Sequence, residues 1–167
     1  MENDIRIDST AVVKHIMEKG SHISIDMCVY CSVSLYLSDW IHIAPMTSII
    51  GGEKSTLYIG KFAGISTGAR VVCGSEDFVN SLLGFMPEEY RKVIHGHNVI
   101  RNFAWVGAGA IVLPNIDMAE GSVLGAGAVL TKDTEPWTVY VGNPARAIKT
   151  RNKELILENA RKLGYEE

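Results

Sequence analysis

Five histidines and three cysteines are the side chains in this sequence best suited to chemistry. The histidines are His15, His22, His42, His95 and His97. An unperturbed imidazole titrates near pH 6.5, so it can take a proton and release it near neutrality. His95 and His97 form an H-x-H within a charged, irregular stretch. Cys28 and Cys31 have the C-x-x-C spacing of a metal or redox pair, with Cys73 left over. A metal centre of that type would need a second pair, and the C-x-x-C lies among strand-forming residues. The three are expected to be ordinary core or surface thiols.

The elements that must position these residues announce themselves through a period of six. Ile100, Val106, Val112, Met118, Leu124 and Leu130 stand six apart, and all are aliphatic or methionine. Small residues follow four positions later at Ala104, Ala110, Ser122 and Ala128, with Ile116 the exception. A second run reads Ile25, Cys31, Leu37, Ile43, Ile49. A third reads Ile59, Ile65, Val71, after four extra residues around GGEKSTLY. A helix repeats its apolar face every 3.6 residues and a strand every 2.0, so six fits neither alone. It fits short strands joined by tight corners, three to a coil. Each inward residue then stacks on its counterpart about 4.8 Å away in the next coil. The expectation is an all-β chain, a single domain over residues 1–167 with coils over about 20–148. A long loop should leave it at about 74–99. Short terminal helices are expected near residue 9, with Ser9 as N-cap, and over about 151–164, with Leu155, Ile156, Ala160 and Leu163 on its apolar face. They would cover the open ends of the coil. Since Ile43 points inward, His42 should point out of the coil.

Residues 106–151 carry the most specific pattern, above all GAGAVLTKD and GNPARAIK. This stretch resembles the hexapeptide-repeat acyltransferases, within them the galactoside and maltose acetyltransferase branch. HIAPMTSIIGG and CGSEDF are most similar to the sugar acetyltransferases of surface-polysaccharide pathways. The resemblance implies a left-handed parallel β-helix, a homotrimer, acetyl-CoA as donor and active sites between neighbouring subunits. It further implies that Gly107, Ala108, Gly125 and Ala126 offer backbone groups to the pantetheine arm, with Trp105 beside it. Thr131 and Lys132 would lie near the adenosine end, and Arg146, Lys149 and Arg151 near the phosphates, where charge-assisted bonds form.

That branch carries a histidine after a glycine at the start of the long loop. Here the sequence reads Gly74-Ser75-Glu76-Asp77, with Glu76 in roughly that place. A sugar hydroxyl needs a strong base, whereas an amine with a pKa near neutrality needs less help. The departure therefore favours the amino group of a nucleotide-linked amino sugar as acceptor, over O-acetylation of a sugar hydroxyl. His42 is the first candidate for the proton acceptor. Glu76 or Asp77 would orient the imidazole or the ammonium group from across the subunit interface, or Glu76 would itself be the base. Trp40 and Tyr36 are candidates to wall the sugar pocket. A zinc carbonic anhydrase of the same fold is a distant alternative; it would need His42, His95 and His97 to meet across subunits. No metal site is otherwise expected.

Composition sets the outer bounds. The net charge of −3 argues against a general nucleic-acid binder. No apolar run approaches the roughly 18 residues of a membrane span, so membrane insertion is not expected. The start, MENDIRIDST, is acidic and polar rather than a secretory signal, which makes the cytoplasm the expected compartment.

Overall fold

A computed structural model describes residues 4–84 and 86–166. The chain winds into a left-handed parallel β-helix with three faces. The first face stacks Ile5–Ile7, Ile23–Ile25, Ile41–Ile43, Gly64–Ile65, Trp105–Val106, Val123–Leu124 and Thr138–Val141 in parallel, and Arg146–Thr150 folds back antiparallel on its last strand. The second face contains Ser48–Ile50, Arg70–Val72, Ile111–Val112 and Val129–Leu130. The third contains Thr56–Ile59, His97–Ile100 and Asp117–Met118. Tyr30–Leu37 runs through both. The hexad residues fill the interior: Ile25, Cys31, Ile43, Ile49, Ile59, Ile65, Val71, Ile100, Val106 and Leu124 are all essentially inaccessible.

The coil begins earlier than expected. Val12–Lys19, read from sequence as a helix, is a strand pairing in parallel with Tyr30–Leu37. Its β-branched Val12, Val13 and Ile16 suit a pleated surface better than a helix. With Ile5–Ile7 it makes one more coil, so the coiled region starts near residue 5 rather than 20. At the other end the helix is present, over Lys153–Arg161, with Asn152 accepting the Leu155 N–H as N-cap. Its buried side is turned from the expected one: Leu157 and Ala160 are covered, whereas Leu155 and Leu163 are exposed. It packs on Phe103 and Trp137 at the side of the coil instead of plugging its end.

Two corners solve the turn differently. At the corner entering the first face, His22, Trp40, Phe62, Phe103 and Trp137 all take positive φ, between 54° and 61°. Their rings line the corner with centroids 3.9 to 6.0 Å apart; Gly121 takes the same position at positive φ between Phe103 and Trp137, and the Trp137 ring lies over it. Such a conformation costs a bulky residue about 1–2 kcal/mol, and each aromatic pair returns about 0.5–1.5 kcal/mol. At the corner leaving the first face, Cys28 and Met46 occupy the positive-φ position in the early coils, and Gly68, Gly109 and Gly127 in the later ones.

The third corner carries the additions. Residues 51–54 bulge there, and residues 74–95 leave as a two-stranded antiparallel ribbon, Gly74–Glu76 against Val93–His95. The coil resumes at His97, within the stretch expected to be loop. Asn98 takes the inward position opposite Leu57, and breaks the apolar period there. It is fully buried; its amide donates to Leu113 O and its oxygen accepts the Asn115 N–H.

Candidate functional site

The outward side chains of the first face form one row: Arg6, Ser24, His42, Gly64, Trp105, Val123. His42 points out of the coil and is half exposed. Its Nε2 lies 2.7 Å from Asp26 Oδ2, and Asp26 Oδ1 accepts the Ser24 hydroxyl at 3.0 Å. The hydrogen bond to His42 holds the Asp26 carboxyl below the usual carboxylate range, and the Arg6 charge adds to this. One position along, Gly64 has no side chain, and the six-membered ring of Trp105 lies across it; a Cβ at Gly64 would run into that ring. The glycine thus seats an indole beside the histidine on the same row. Asp26, Ser24, Arg6, Met27 and Pro45 border a cleft of about 360 Å³.

Glu76 and Asp77 lie elsewhere in the chain. Glu76 accepts the Gly84 N–H at 2.8 Å and pairs with Arg91 at 3.6 Å. Asp77 accepts the backbone N–H groups of Val79 and Asn80 and the Asn80 amide, and pairs with Lys92 at 3.4 Å. These bonds lower the Asp77 carboxyl pKa, the Asn80 side chain contributing most. Glu76 lines a second cleft, of about 570 Å³, with Gly51, Gly52, Lys54, Ser75 and Arg91. Within one chain, neither carboxylate is bonded to His42, whose partner is Asp26.

Of the residues expected at the donor, Ala108 and Ala126 are exposed beside Gly109 and Gly127 on the glycine corner. Gly107 and Gly125 have a packing reason of their own. A Cβ on Gly107 would lie 2.6 Å from Leu124 O, and one on Gly125 2.8 Å from Val141 Cγ1. Thr131 and Lys132 follow Val129–Leu130, at the far end of that strand from the glycine corner. Arg146 and Lys149 are exposed on the returning strand. Arg151, expected near phosphate, is turned the other way. Its Nη1 donates to Phe103 O and Gly121 O, both at 2.7 Å, and its guanidinium lies over Trp137. It closes the aromatic corner. Trp40 is held in the aromatic stack and also borders a small cleft with Arg6, His22 and Ser24.

His42, His95 and His97 do not gather in one chain. His95 borders the larger cleft, and His97 Nδ1 is 2.8 Å from Thr56 Oγ1. Cys28 is exposed at a corner. Cys31 and Cys73 are buried, and burial pushes their thiols up to about 11 and about 12. The sequence pointed to His42 but not to Asp26 and Ser24. The signal was available as a spacing: Asp26 lies two positions beyond the residue that pairs with His42 in the preceding coil.

No protein-family model matches the chain. Among curated proteins it is 34% identical over 142 residues to dTDP-4-amino-4,6-dideoxy-D-glucose acyltransferase of Escherichia coli, covering 82% of this chain and 73% of the relative. The chain belongs to the left-handed β-helix sugar acyltransferases. The chain is also 36% identical over 108 residues to a chloramphenicol acetyltransferase of Agrobacterium fabrum, covering 57% of this chain and 52% of that one. Its fold superposes with TM-score 0.86 on AntD, an N-acyltransferase from Bacillus cereus, solved with dTDP and 3-hydroxybutyryl-CoA. The two are 28% identical, over 95% of this chain and 86% of AntD. A hexapeptide-repeat acetyltransferase from Vibrio cholerae, 17% identical with TM-score 0.56, shares the fold over 83% of this chain and 73% of its own.

Proposed function

We propose that the protein transfers an acetyl group from acetyl-CoA to the amino group of a nucleotide-linked amino sugar. The observation that carries this is the near full-length likeness to AntD, whose structure holds dTDP and an acyl-CoA together. The Escherichia coli relative, named for a dTDP-linked amino sugar, supports it. The Gly74-Ser75-Glu76-Asp77 sequence, without a histidine, agrees with an amine acceptor rather than a hydroxyl.

In this reading the donor runs along the glycine corner past Ala108 and Ala126, with the backbone at Gly107 and Gly125 behind it. The Trp105 ring flanks the thioester arm. Thr131 and Lys132 belong to the adenosine end, and Arg146 and Lys149 meet the phosphates. The acceptor amine attacks the thioester carbonyl, and His42 takes the proton from the attacking nitrogen. Collapse of the tetrahedral intermediate breaks the C–S bond, and the thiolate leaves with the proton returned by the imidazolium. Products are an amide and free CoA.

Glu76 or Asp77 orients the imidazole or the ammonium group from the ribbon of a neighbouring subunit, which requires an oligomer. A homotrimer fits the exposed Phe78, Val79, Leu82 and Tyr90 of the ribbon, apolar surface that a partner would cover. The reaction belongs to surface-polysaccharide synthesis in the cytoplasm, where acetyl-CoA and nucleotide sugars are both available.

The test is thiol release and product mass with acetyl-CoA and dTDP-4-amino-4,6-dideoxyglucose. Acetylation of this amine is expected, with no turnover of the analogue bearing a hydroxyl in place of the amine. Turnover of the hydroxyl analogue alone would replace N- with O-acetylation. His42→Ala should lower kcat by about a hundredfold or more, the ordinary contribution of a general base.

A further inference from the structure

We infer that Asp26, steadied by Ser24, is the positioning residue for His42, and that His42 works through Nδ1. The inference rests on the reading of His42 as the proton acceptor. Asp26 presents its carboxylate 2.7 Å from Nε2. A carboxylate accepts and does not donate, so Nε2 carries the hydrogen and the neutral ring has its lone pair on Nδ1. Among the described residues nothing is bonded to Nδ1. It is therefore the ring nitrogen available to an incoming amine.

The arrangement is built by the coil rather than by a loop. Ser24 is the residue paired with His42 across the sheet, and Asp26 lies two positions on. Ser24 Oγ donates to Asp26 Oδ1 at 3.0 Å, so each carboxylate oxygen has one fixed partner. Arg6, next on the same row, helps hold the carboxylate charged. An ionised Asp26 then does two things. It fixes the ring against rotation, and it stabilises the imidazolium formed when the amine proton reaches Nδ1. The proton returns from Nδ1 to the departing CoA thiolate, and Asp26 remains ionised throughout.

Asp26→Asn keeps the shape and removes the charge. The asparagine amide can donate to Nε2, which moves the ring hydrogen to Nδ1 and blocks the base. A loss in kcat on the order of 10² is expected, with the KM for acetyl-CoA unchanged. Nitrogen-15 spectra of the neutral imidazole should show hydrogen on Nε2 in the unsubstituted protein and a shift towards Nδ1 in the variant, a change that a merely structural carboxylate would not produce. The double variant Asp26→Asn, His42→Ala should be no slower than His42→Ala alone. If His42→Ala is slow but Asp26→Asn turns over normally with an unchanged tautomer, the positioning role is wrong. If His42→Ala itself keeps full kcat, the failure lies with His42 as the base.

Discussion

The aromatic and glycine corners face the same backbone problem and answer it in opposite ways. Both require positive φ once per coil. At the aromatic corner five rings, from His22 to Trp137, fill the outside of the turn, and where Gly121 stands in this row the Trp137 ring covers it. The C-terminal helix and Tyr165 then cover part of them. At the glycine corner, a Cβ on Gly68, Gly109 or Gly127 would meet nothing within 4 Å. These glycines serve the conformation alone, since they relieve the turn without filling space. They leave bare backbone facing outward. One corner is therefore closed and stabilises the coil, while the other keeps its backbone uncovered.

The largest effect that this contrast predicts is on stability. Phe103 and Trp137 are almost fully buried at the closed corner. Phe103→Ala or Trp137→Ala should cost about 3–5 kcal/mol, measured by urea unfolding of each variant. At temperatures where the variants remain folded, the KM for acetyl-CoA should hardly move. A variant that melts like the unsubstituted protein would show that the ring stack is ornamental to the fold.

The cations sharpen the contrast. Arg151 serves the closed corner through its bonds to Phe103 O and Gly121 O, whereas Arg146 and Lys149 are exposed on the returning strand. Arg151→Ala should lower stability by about 1–3 kcal/mol, as when buried acceptors lose a donor, with little change in donor KM. Arg146→Ala or Lys149→Ala should do the reverse. Loss of a charge-assisted bond of about 1.5–3 kcal/mol raises the KM for acetyl-CoA by roughly tenfold or more, and leaves the melting curve in place. Should Arg151→Ala raise KM without loss of stability, the division between the two corners is misdrawn.

The interior was legible in the sequence because an inward position every sixth residue is a strict demand of the coil. The same rule put His42 on the outside. What escaped were residues whose roles depend on the neighbouring coil. Asp26 acquires its meaning only when a full coil of chain brings it beside His42. Asn98 hid the return of the coil, because a buried amide satisfied by Leu113 and Asn115 breaks the apolar pattern. Val12–Lys19 escaped because Val12, Val13, Ile16 and Met17 recur with helix-like spacing, although β-branched residues suit a strand. Arg151 follows Arg146 and Lys149 in sequence, but the returning strand ends at Thr150, and the Arg151 side chain turns back towards Trp137.

The smallest predicted effect concerns acid, and it separates the corners through Asp39. This carboxylate stands just before Trp40 at the closed corner. It accepts both the backbone N–H and the hydroxyl of Ser21, at 2.9 and 3.0 Å, and pairs with Lys61 at 3.3 Å. The Ser21 backbone bond is the main reason its carboxyl is held below the usual range, with the Ser21 hydroxyl and Lys61 adding to it. A carboxyl whose folded pKa is depressed stabilises the fold fully at pH values above its unfolded pKa of about 3.9. That contribution is lost as pH falls through the lower folded value. Thermal stability should therefore decline below about pH 4, and Asp39→Asn should flatten part of that decline while lowering the plateau above it. The change is modest, because the group is one-third exposed and its Lys61 pair is partly screened by water. The glycine corner offers the matching control. Asp8 is depressed by its bonds to Thr10 but is open to solvent in the first coil, away from the aromatic stack. Asp8→Asn should shift the acid limb less than Asp39→Asn does. An equal shift from both would mean that the acid response comes from the carboxylates generally and not from the packing of the closed corner.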